Sequence, residues 1–303
     1  MPSNHSLLLL FIINPSSGGN NKTDWKEKIN KYFKNRDTSF KIHELTCNQN
    51  HKAELKEQLS ANPKKVIAVG GDGTVKLIAE ELMHTEMILG ILPAGSANGM
   101  AKELNIPNDA EKALDIITNG KIETIDVVKI NDNNTSIHLS DMGLNALLIN
   151  YFDKENKRGM WGYTKLAFRV FLKKRLMRVD IKVNGENILR TAYMVVLANA
   201  KKYGTGAEIN PEGSLTDGKF EVIIVRKLTL LQLFRMLISH KPFNPHCIEI
   251  IQTEKAVINT REKNHFQVDG EYWGKTSVVT AEIVPASLKV LVPPDKNKQN
   301  NGI

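Results

Sequence analysis

A glycine-rich segment that contains a carboxylate is the part of this 303-residue chain whose residue types point most directly to chemistry. It reads Gly70-Gly71-Asp72-Gly73-Thr74 and follows a short apolar run, 66–69, that is typical of a buried strand. Glycines let a ligand approach the backbone, and a helix that starts here offers unpaired N–H groups and a positive dipole end. This combination favours phosphate. A carboxylate there repels phosphate unless it holds a cation or takes a proton, so Asp72 indicates nucleotide binding combined with catalysis.

Strands and helices alternate before residue 124, and this alternation must position the glycine loop. The predicted strands are 7–13, 39–45, 66–69 and 87–92, and the predicted helices are 25–33, 52–59, 75–83, 98–104 and 110–118. Such alternation predicts a mostly parallel sheet with helices on both faces, where ligands bind beyond the carboxyl ends of the strands. Three loops, 14–20, 70–74 and 93–99, follow predicted strands and are expected to converge on one ligand.

Short strand-like runs separated by turn signals replace the alternation after about residue 124. The predicted strands are 125–130, 137–139, 179–183, 191–197, 220–225, 247–252, 256–260, 265–268, 278–283 and 288–292, with helices at 161–177 and 228–240. Turn dipeptides such as Asn184-Gly185 and Asp217-Gly218 lie between them. We therefore predict an α/β nucleotide-binding domain over 1–124 and an antiparallel β-sandwich domain for the substrate over 125–285. Residues from about 286 to 303 could return to the first domain.

Composition limits the setting of the protein but not its partner. The net charge of +8 suits nucleic acid, an anionic membrane or a small anion, and it does not choose among them. Cys47 and Cys247 are far apart and lack metal-ligand spacing, which favours a reduced, cytoplasmic setting. The apolar run 7–13 is too short to span a membrane and lacks the flanks of a signal peptide, so it is interpreted as a strand.

Five segments, in the same order along nearly the whole chain, resemble motifs of the diacylglycerol kinase catalytic-domain family, which includes bacterial soluble lipid kinases and sphingosine kinases. They are Asn14-Pro15 with Gly18, Gly70 to Thr74, Pro93 to Asn98, Asn210-Pro211 with Asp217-Gly218, and Asp269-Gly270-Glu271. The resemblance implies an NAD kinase/diacylglycerol kinase-like α/β domain followed by a β-sandwich. It also implies transfer of the ATP γ-phosphate, with Mg²⁺, to a lipid hydroxyl of a diacylglycerol-like or sphingoid-like acceptor.

The resemblance also implies a role for individual residues. The expected nucleotide-binding residues are Asn14, Thr46, Gly70, Gly71, Asp72, Gly73, Thr74, Ser96 and Asn98. A structural Mg²⁺ is expected on the Asp217 carboxylate and on the backbone carbonyls of Ser214 and Lys219. Glu271 is the expected base and Asp72 its metal and transfer-state partner, although which of the two accepts the substrate proton stays open.

Other expectations follow from the same resemblance, together with two alternatives. A lipid substrate at the membrane surface implies peripheral binding at the inner membrane face, nucleic acid is not an expected partner, and a homodimer is left open. An NAD kinase-like enzyme shares the Gly-Gly-Asp-Gly-Thr motif and the two-domain plan. A non-catalytic nucleotide-sensing protein is the second alternative, because Ala97-Asn98-Gly99 lacks an aspartate that many diacylglycerol kinases have there. Taken singly, Asp217-Gly218 and Asp269-Gly270 are also ordinary turn signals.

Overall fold

The computed structural model describes residues 8–17, 24–46, 50–132, 134–155, 169–173, 175–202, 208–229 and 245–295. The chain packs into two compact units. One consists of Met1–Ile125 with Ser287–Ile303, and the other of Asp126–Ala286.

The first unit is an α/β unit with a parallel sheet. Its elements are β1 (Leu9–Ile13), α1 (Trp25–Phe33), β2 (Phe40–Glu44), α2 (His51–Leu59), β3 (Lys65–Gly70), α3 (Asp72–Leu82), β4 (Ile88–Pro93), α4 (Gly99–Glu103) and α5 (Ala110–Asn119). The strands pair in parallel in the order β2-β1-β3-β4, which confirms the predicted parallel sheet. The last strand of the chain, β14 (Glu271–Val292), adds its final residues beside β4, where Val290 pairs in parallel with Leu89.

Local sequence explains why these elements form where they do. In α1, Trp25, Ile29 and Phe33 share one helix face and are buried, and the Asp24 carboxylate caps the helix by accepting the Glu27 N–H at 2.9 Å. The strand β4 is buried at every position and β3 at all but its first, as expected for parallel strands covered on both faces. The carboxyl ends of β1, β3 and β4 therefore open onto the loops that the sequence singled out.

The second unit is built from antiparallel strands. Its elements are β5 (Lys121–Ile130), which begins in the first unit, β6 (Asn134–Ser136), β7 (Leu139–Gly143), α6 (Leu144–Glu155), β8 (Met177–Val183), β9 (Glu186–Ala192), β10 (Met194–Ala198), β11 (Phe220–Val225), β12 (Ile248–Thr253), β13 (Lys255–Val268) and most of β14. The strand order is β12-β11-β10-β7-β13-β14; β8 pairs with β13 and carries β9 on its other side, and β5 pairs with β14 and with β6. Residues from these strands form a common core around Val195, Phe220 and Phe266.

Several predicted strands of this unit were wrong in detail. Residues 137–139 lie mostly between β6 and β7, and 191–197 divides between β9 and β10. The pairs 256–260 with 265–268, and 278–283 with 288–292, are single strands, β13 and β14. The polar residues 261–264 separate the two predicted strands in the sequence. In the structure they belong to β13, which accommodates them in a register irregularity between Asn259 and Asn264.

The helical predictions in this unit also need correction. The helix α6 was not predicted from the sequence. Most of the predicted helices 161–177 and 228–240 lies outside the described residues, but Met177 belongs to β8 and not to a helix. Across the described parts of the chain, no helix combines the length and the apolar composition needed to cross a membrane.

Candidate active site

The loops that follow β1, β3 and β4 contact one another. The side-chain amide of Asn14 donates to the Thr74 hydroxyl at 3.0 Å, which joins the first loop to the glycine loop. The Ala94 N–H donates to the Gly70 carbonyl at 2.9 Å, which joins the glycine loop to the third loop. Because these strand ends lie side by side in the sheet, three loops that are well separated in sequence form one cluster.

Two glycines make the closest approach within this loop cluster. A Cβ atom on Gly95 would lie 2.4 Å from the Cα of Gly71, and a Cβ on Gly71 would lie 3.2 Å from the Cα of Gly95. A Cβ on Gly70 would meet the Thr74 hydroxyl oxygen at 2.4 Å. Neighbouring atoms therefore require glycine at Gly70 and Gly95, and a backbone without side chains suits the close approach of a phosphate.

Asp72 is the first residue of α3 and not its cap, which is Gly71. One carboxylate oxygen, Oδ1, accepts the Met100 N–H from the first turn of α4 at 3.1 Å. A negative charge in the first turn of a helix is stabilised by the helix dipole. Asp72 therefore ties α4 to the glycine loop.

The third loop is closed by Asn98. Its side-chain Oδ1 accepts the Gly95 N–H at 2.8 Å and its Nδ2 donates to the Gly95 carbonyl at 2.9 Å, while its backbone adopts φ +52°. Asparagine tolerates this left-handed conformation better than most residues. Asn98 thus shapes the loop, and the neighbouring Ser96 is exposed.

A cavity of about 570 Å³ lies at these strand ends, within the size range of small-molecule sites. It is lined by Ile13, Asn14, Pro15, Ser17, Asp24, Trp25, Lys26, Lys28, Glu44, Val69, Pro93, Ala94, Gly95, Ser96, Asn98, Asn108 and Ala110. Thr46 is not among these lining residues. Its hydroxyl donates to the Glu54 carboxylate at 3.1 Å, and Glu54 also lies 2.7 Å from His43 Nε2.

We expect Gly95→Ala to weaken nucleotide binding by roughly ten- to a hundredfold, because the new Cβ would push the Gly71 backbone away from its position. The measurement is the ATP dissociation constant by calorimetry. Ala97→Ser, in the same loop, is the control that adds one atom without this collision and should bind ATP normally. Equal affinities of the Gly95→Ala and wild-type proteins would contradict the importance of this close approach.

In the second unit, the loop 214–219 is held by Asp126. The Asp126 carboxylate accepts the Gly218 N–H at 2.7 Å, and the Asp126 N–H donates to the Leu215 carbonyl at 2.7 Å. Asp217 itself is exposed, and its Oδ1 accepts the Lys219 N–H at 3.2 Å. The three predicted metal-binding positions, Ser214, Asp217 and Lys219, therefore lie in one loop that is anchored to β5.

A second carboxylate, Glu221, stands beside Asp217. One amide nitrogen, Gln252 Nε2, donates to Asp217 Oδ2 at 3.0 Å and to Glu221 Oε1 at 3.2 Å, while Asn210 Nδ2 donates to the other oxygen of Glu221. Burial raises the pKa of the Glu221 carboxyl; the hydrogen bonds from Asn210 and Gln252 oppose this, and the charges of Asp217 and Glu212 add to it. Negative charge thus accumulates here.

The motif at Glu271 sits on a two-residue turn between β13 and β14. Both turn residues have positive φ, +51° at Asp269 and +88° at Gly270, which is the type I′ geometry favoured in hairpins. The buried Asp269 carboxylate accepts four hydrogen bonds at 2.8–3.1 Å, from the Ser136 hydroxyl and from the N–H groups of residues 137–139. Glu271 follows directly and is exposed.

Sequence reasoning missed several buried polar residues that support these segments. They are Asp126, Asp141, Glu221 and Gln267, and the exposed Gln252, which bonds Glu221, was missed as well. A signal was available for three of them, because Asp126, Asp141 and Glu221 interrupt apolar runs that otherwise read as buried strands. A charged side chain in such a run is buried only with partners.

Comparison with known proteins assigns the chain to a family. A family model described as "Diacylglycerol kinase catalytic domain" matches residues 8–130, and one described as "YegS C-terminal NAD kinase beta sandwich-like domain" matches residues 141–292. A Klebsiella pneumoniae (strain 342) protein named "Probable lipid kinase YegS-like" is 27% identical over 293 residues, covering 94% of this chain and 96% of that protein. A Bacillus subtilis (strain 168) protein named "Diacylglycerol kinase" is 26% identical over 301 residues, covering 95% and 97%.

A solved structure described as a putative diacylglycerol kinase from Bacillus anthracis str. Sterne has the same fold. It has a TM-score of 0.77 at 22% identity, over 95% of this chain and 98% of that one. The predicted fold class, including the β-sandwich, is thereby confirmed. Since the two family models together match most of the chain, it belongs to the diacylglycerol kinase catalytic-domain family and is a lipid kinase.

Proposed function

We propose that this protein transfers the γ-phosphoryl group of ATP to the hydroxyl of a membrane lipid, with Mg²⁺ and with Glu271 as the base. The observation that carries the proposal is the contact of Gly71 with Gly95, beside a cavity at the carboxyl ends of parallel strands. A backbone without side chains suits phosphate groups, and parallel sheets bind ligands at this edge. The Bacillus subtilis relative, which is named a diacylglycerol kinase, favours a diacylglycerol-like acceptor over a sphingoid-like one.

The nucleotide is proposed to lie against the loop cluster of the first unit. Its phosphates would contact the backbone of Gly70 to Thr74 and the start of α3, which has no side-chain cap and where the dipole favours anions. Asn14 and Asn98 would act mainly by holding the loops, because their side chains already bond Thr74 and Gly95. The role of Thr46 is proposed to be indirect, since its hydroxyl is bonded to Glu54.

The side-chain oxygen atoms of Asp217, Glu221 and Asn210 in the second unit fit the ligands of a bound Mg²⁺. Asp217 and Glu221 bring two carboxylates together, and the buried Asn210 Oδ1 has no hydrogen-bond partner within the described part of the chain. No group of three or more His, Cys, Asp or Glu side chains forms a metal cluster in the described ranges, so further ligands would be the proposed carbonyls of Ser214 and Lys219. Oxygen ligands of this kind suit Mg²⁺, which when bound would neutralise this concentrated negative charge.

Transfer of the substrate proton is assigned to Glu271. An exposed carboxylate on a well-anchored turn can reach a lipid hydroxyl and keep its geometry, because the Asp269 side chain before it is held by four donors. Such positioning and charge neutralisation account for most of the catalysis of phosphoryl transfer. Peripheral binding at a membrane surface is part of this proposal, since the acceptor is a lipid.

The test is phosphate transfer from γ-labelled ATP, with Mg²⁺, to vesicles that contain diacylglycerol, a sphingoid base or phosphatidylglycerol, with NAD as a soluble acceptor in parallel. We expect one lipid class to be labelled and identified by mass spectrometry. Labelled NAD instead of lipid would assign the NAD kinase-like alternative. Binding of ATP without any labelled acceptor would favour the nucleotide-sensing alternative and overturn the proposal.

We expect Asp217→Asn and Glu221→Gln to raise the Mg²⁺ concentration for half-maximal activity by roughly ten- to a hundredfold, because each removes a charge that the cation needs. The Mg²⁺-dependent rise in unfolding temperature should shrink in parallel, which gives a reading apart from catalysis. Glu186→Gln, an exposed carboxylate at the start of β9, is the control. Unchanged Mg²⁺ midpoints in both variants would exclude these side chains as a metal site.

A further inference from the structure

The function proposed above leaves the buried carboxylate Asp141 of β7 unused. Asp141 is fully buried. Its Oδ2 accepts the side-chain amides of Asn145 and Gln267, each at 2.6 Å, and its Oδ1 accepts the Ala146 N–H at 2.9 Å. Burying a carboxylate is costly, so a chain that retains one in its core has a use for the three directed hydrogen bonds that it accepts at this point.

Gln267 connects Asp141 to the turn at Asp269-Gly270, which directly precedes Glu271. The two residues are directly opposite each other in the antiparallel pair of β7 and β13. While Gln267 Nε2 donates to Asp141, its Oε1 accepts the Gly270 N–H at 2.7 Å. The Gln267 side-chain amide is rigid and planar, with Nε2 as its donor and Oε1 as its acceptor. When the Asp141 carboxylate holds Nε2 in place, Oε1 is therefore held in position to accept the Gly270 N–H.

Gly270 lies next to Glu271 in the type I′ turn. The turn is therefore held at two consecutive residues, through the Asp269 carboxylate and through the Gly270 N–H. The Asp269 bonds fix the side of the turn that faces residues 136–139, whereas the Gln267 bond fixes the peptide between Asp269 and Gly270, one residue before Glu271. A displacement of about 1 Å at such a position can cost two orders of magnitude in rate.

We propose that Asp141 is a positioning residue for the transfer reaction: acting through Gln267, it holds the Gly270 peptide and so keeps the Glu271 carboxylate where it takes the substrate proton. The inference rests on the proposed role of Glu271 as the base. Asp141 makes no contact with the acceptor in this scheme. It acts only through the chain of hydrogen bonds from β7 to the turn.

The electrostatic surroundings agree with a carboxylate that serves as an acceptor. Burial raises the pKa of the Asp141 carboxyl to about 6, against the opposing effect of its hydrogen bonds to Asn145, Gln267 and Ala146. The titratable side chains nearest to it along the packed elements are His138 before β7, His265 and Asp269 on the β13 side, and Tyr151 on α6, while β10 carries none. At neutral pH Asp141 is thus ionised and can accept all three hydrogen bonds.

The experiment is a double-mutant cycle on the turnover number with lipid vesicles, using Asp141→Asn, Gln267→Met and the double variant. If the two residues act in series, each single change lowers kcat by roughly tenfold, the KM for ATP is unchanged, and the double variant is no worse than the single ones. Multiplied effects of the two changes in the double variant would overturn the inference. Asn145→Ala, which removes one of the two bonds from α6 to Asp141 and leaves the Gln267 bond in place, is the control and should keep the wild-type kcat.

Hydrogen exchange of a peptide that spans residues 267–272 separates this inference from the proposed function. Faster exchange at the Gly270 N–H in Asp141→Asn and Gln267→Met, but not in Asn145→Ala, supports the positioning role. Unchanged exchange in both variants overturns it and leaves the role of Glu271 intact. Full activity of Glu271→Gln, in contrast, overturns the proposed base and with it the inference, whatever the exchange result.

Discussion

Glu271→Gln is expected to lower kcat for lipid phosphorylation by about two to four orders of magnitude, the usual contribution of a general base. Glutamine keeps the size and hydrogen-bonding shape of glutamate but cannot take a proton. Since Glu271 is exposed on a turn, the variant should fold as the wild type does. The dissociation constant of ATP, measured separately, should not change, because the residues that line the nucleotide cavity all belong to the first unit.

The matched control for this experiment lies on the same strand. Glu282 of β14 has a side chain that is 56% exposed and an ion pair with Lys255 at 3.0 Å. Exposed ion pairs of this kind contribute about 0–1 kcal/mol, so Glu282→Gln should leave both activity and stability nearly unchanged. A kcat of Glu271→Gln within twofold of the control would contradict the assignment.

Asp72→Asn distinguishes between the two carboxylates that could take the proton. If Asp72 acts on the metal and the transferred group, this variant loses activity but its residual rate still depends on Glu271. If instead Asp72→Asn removes transfer while Glu271→Gln does not, Asp72 is the base. Because Asp72 Oδ1 also accepts the Met100 N–H, the unfolding transition of Asp72→Asn must be measured beside its activity.

Asp269→Gly is expected to lower the free energy of unfolding by about 3–5 kcal/mol. The substitution removes the buried carboxylate that accepts four hydrogen bonds in the wild type, so these four donors lose their acceptor. Glycine suits the positive φ at this position, so the loss reports on the carboxylate and not on backbone strain. Typical domains have only about 5–15 kcal/mol of stability, so the effect should be large in a urea titration. Activity should fall as well, since the turn before Glu271 loses its anchor.

Asp269→Asn separates the acceptor role of this residue from its charge. Asparagine keeps one acceptor oxygen and tolerates positive φ, so its loss of stability should be clearly smaller than that of Asp269→Gly. Equal losses in the two variants would mean that the negative charge, and not the number of acceptors, stabilises the segment 136–139. A stability of Asp269→Gly within about 1 kcal/mol of the wild type would contradict the structural role altogether.

Features that depend on short-range pattern were predictable from the sequence. The helix α1 begins at Trp25 and ends at Phe33 as predicted, because its three apolar residues recur at helical spacing and Asp24 caps it. The strand β11 also matches its prediction at both ends. The loops after β1, β3 and β4 were predictable because glycine and asparagine mark the ends of apolar runs.

Features that depend on polar residues inside strands were not predictable from the sequence. The residues between 260 and 264 resemble a turn, yet β13 runs through them, since a partner strand can absorb extra residues in a bulge. Asp141 and Glu221 were not predicted from the sequence. Their partners, Gln267 and Gln252, are 126 and 31 residues away in sequence, so no local pattern connects them.

By itself, the amino-acid sequence determined the fold class, the order of the motifs and the residue types that could bind phosphate and a cation, because these depend on composition and on spacing within short segments. The tertiary structure decided which of these residues meet. It placed Gly95 against Gly71, anchored the loop of Asp217 on Asp126, and connected the turn of Glu271 to Asp141 through Gln267. The reason is that strand order and register set these contacts, and both are properties of the whole sheet.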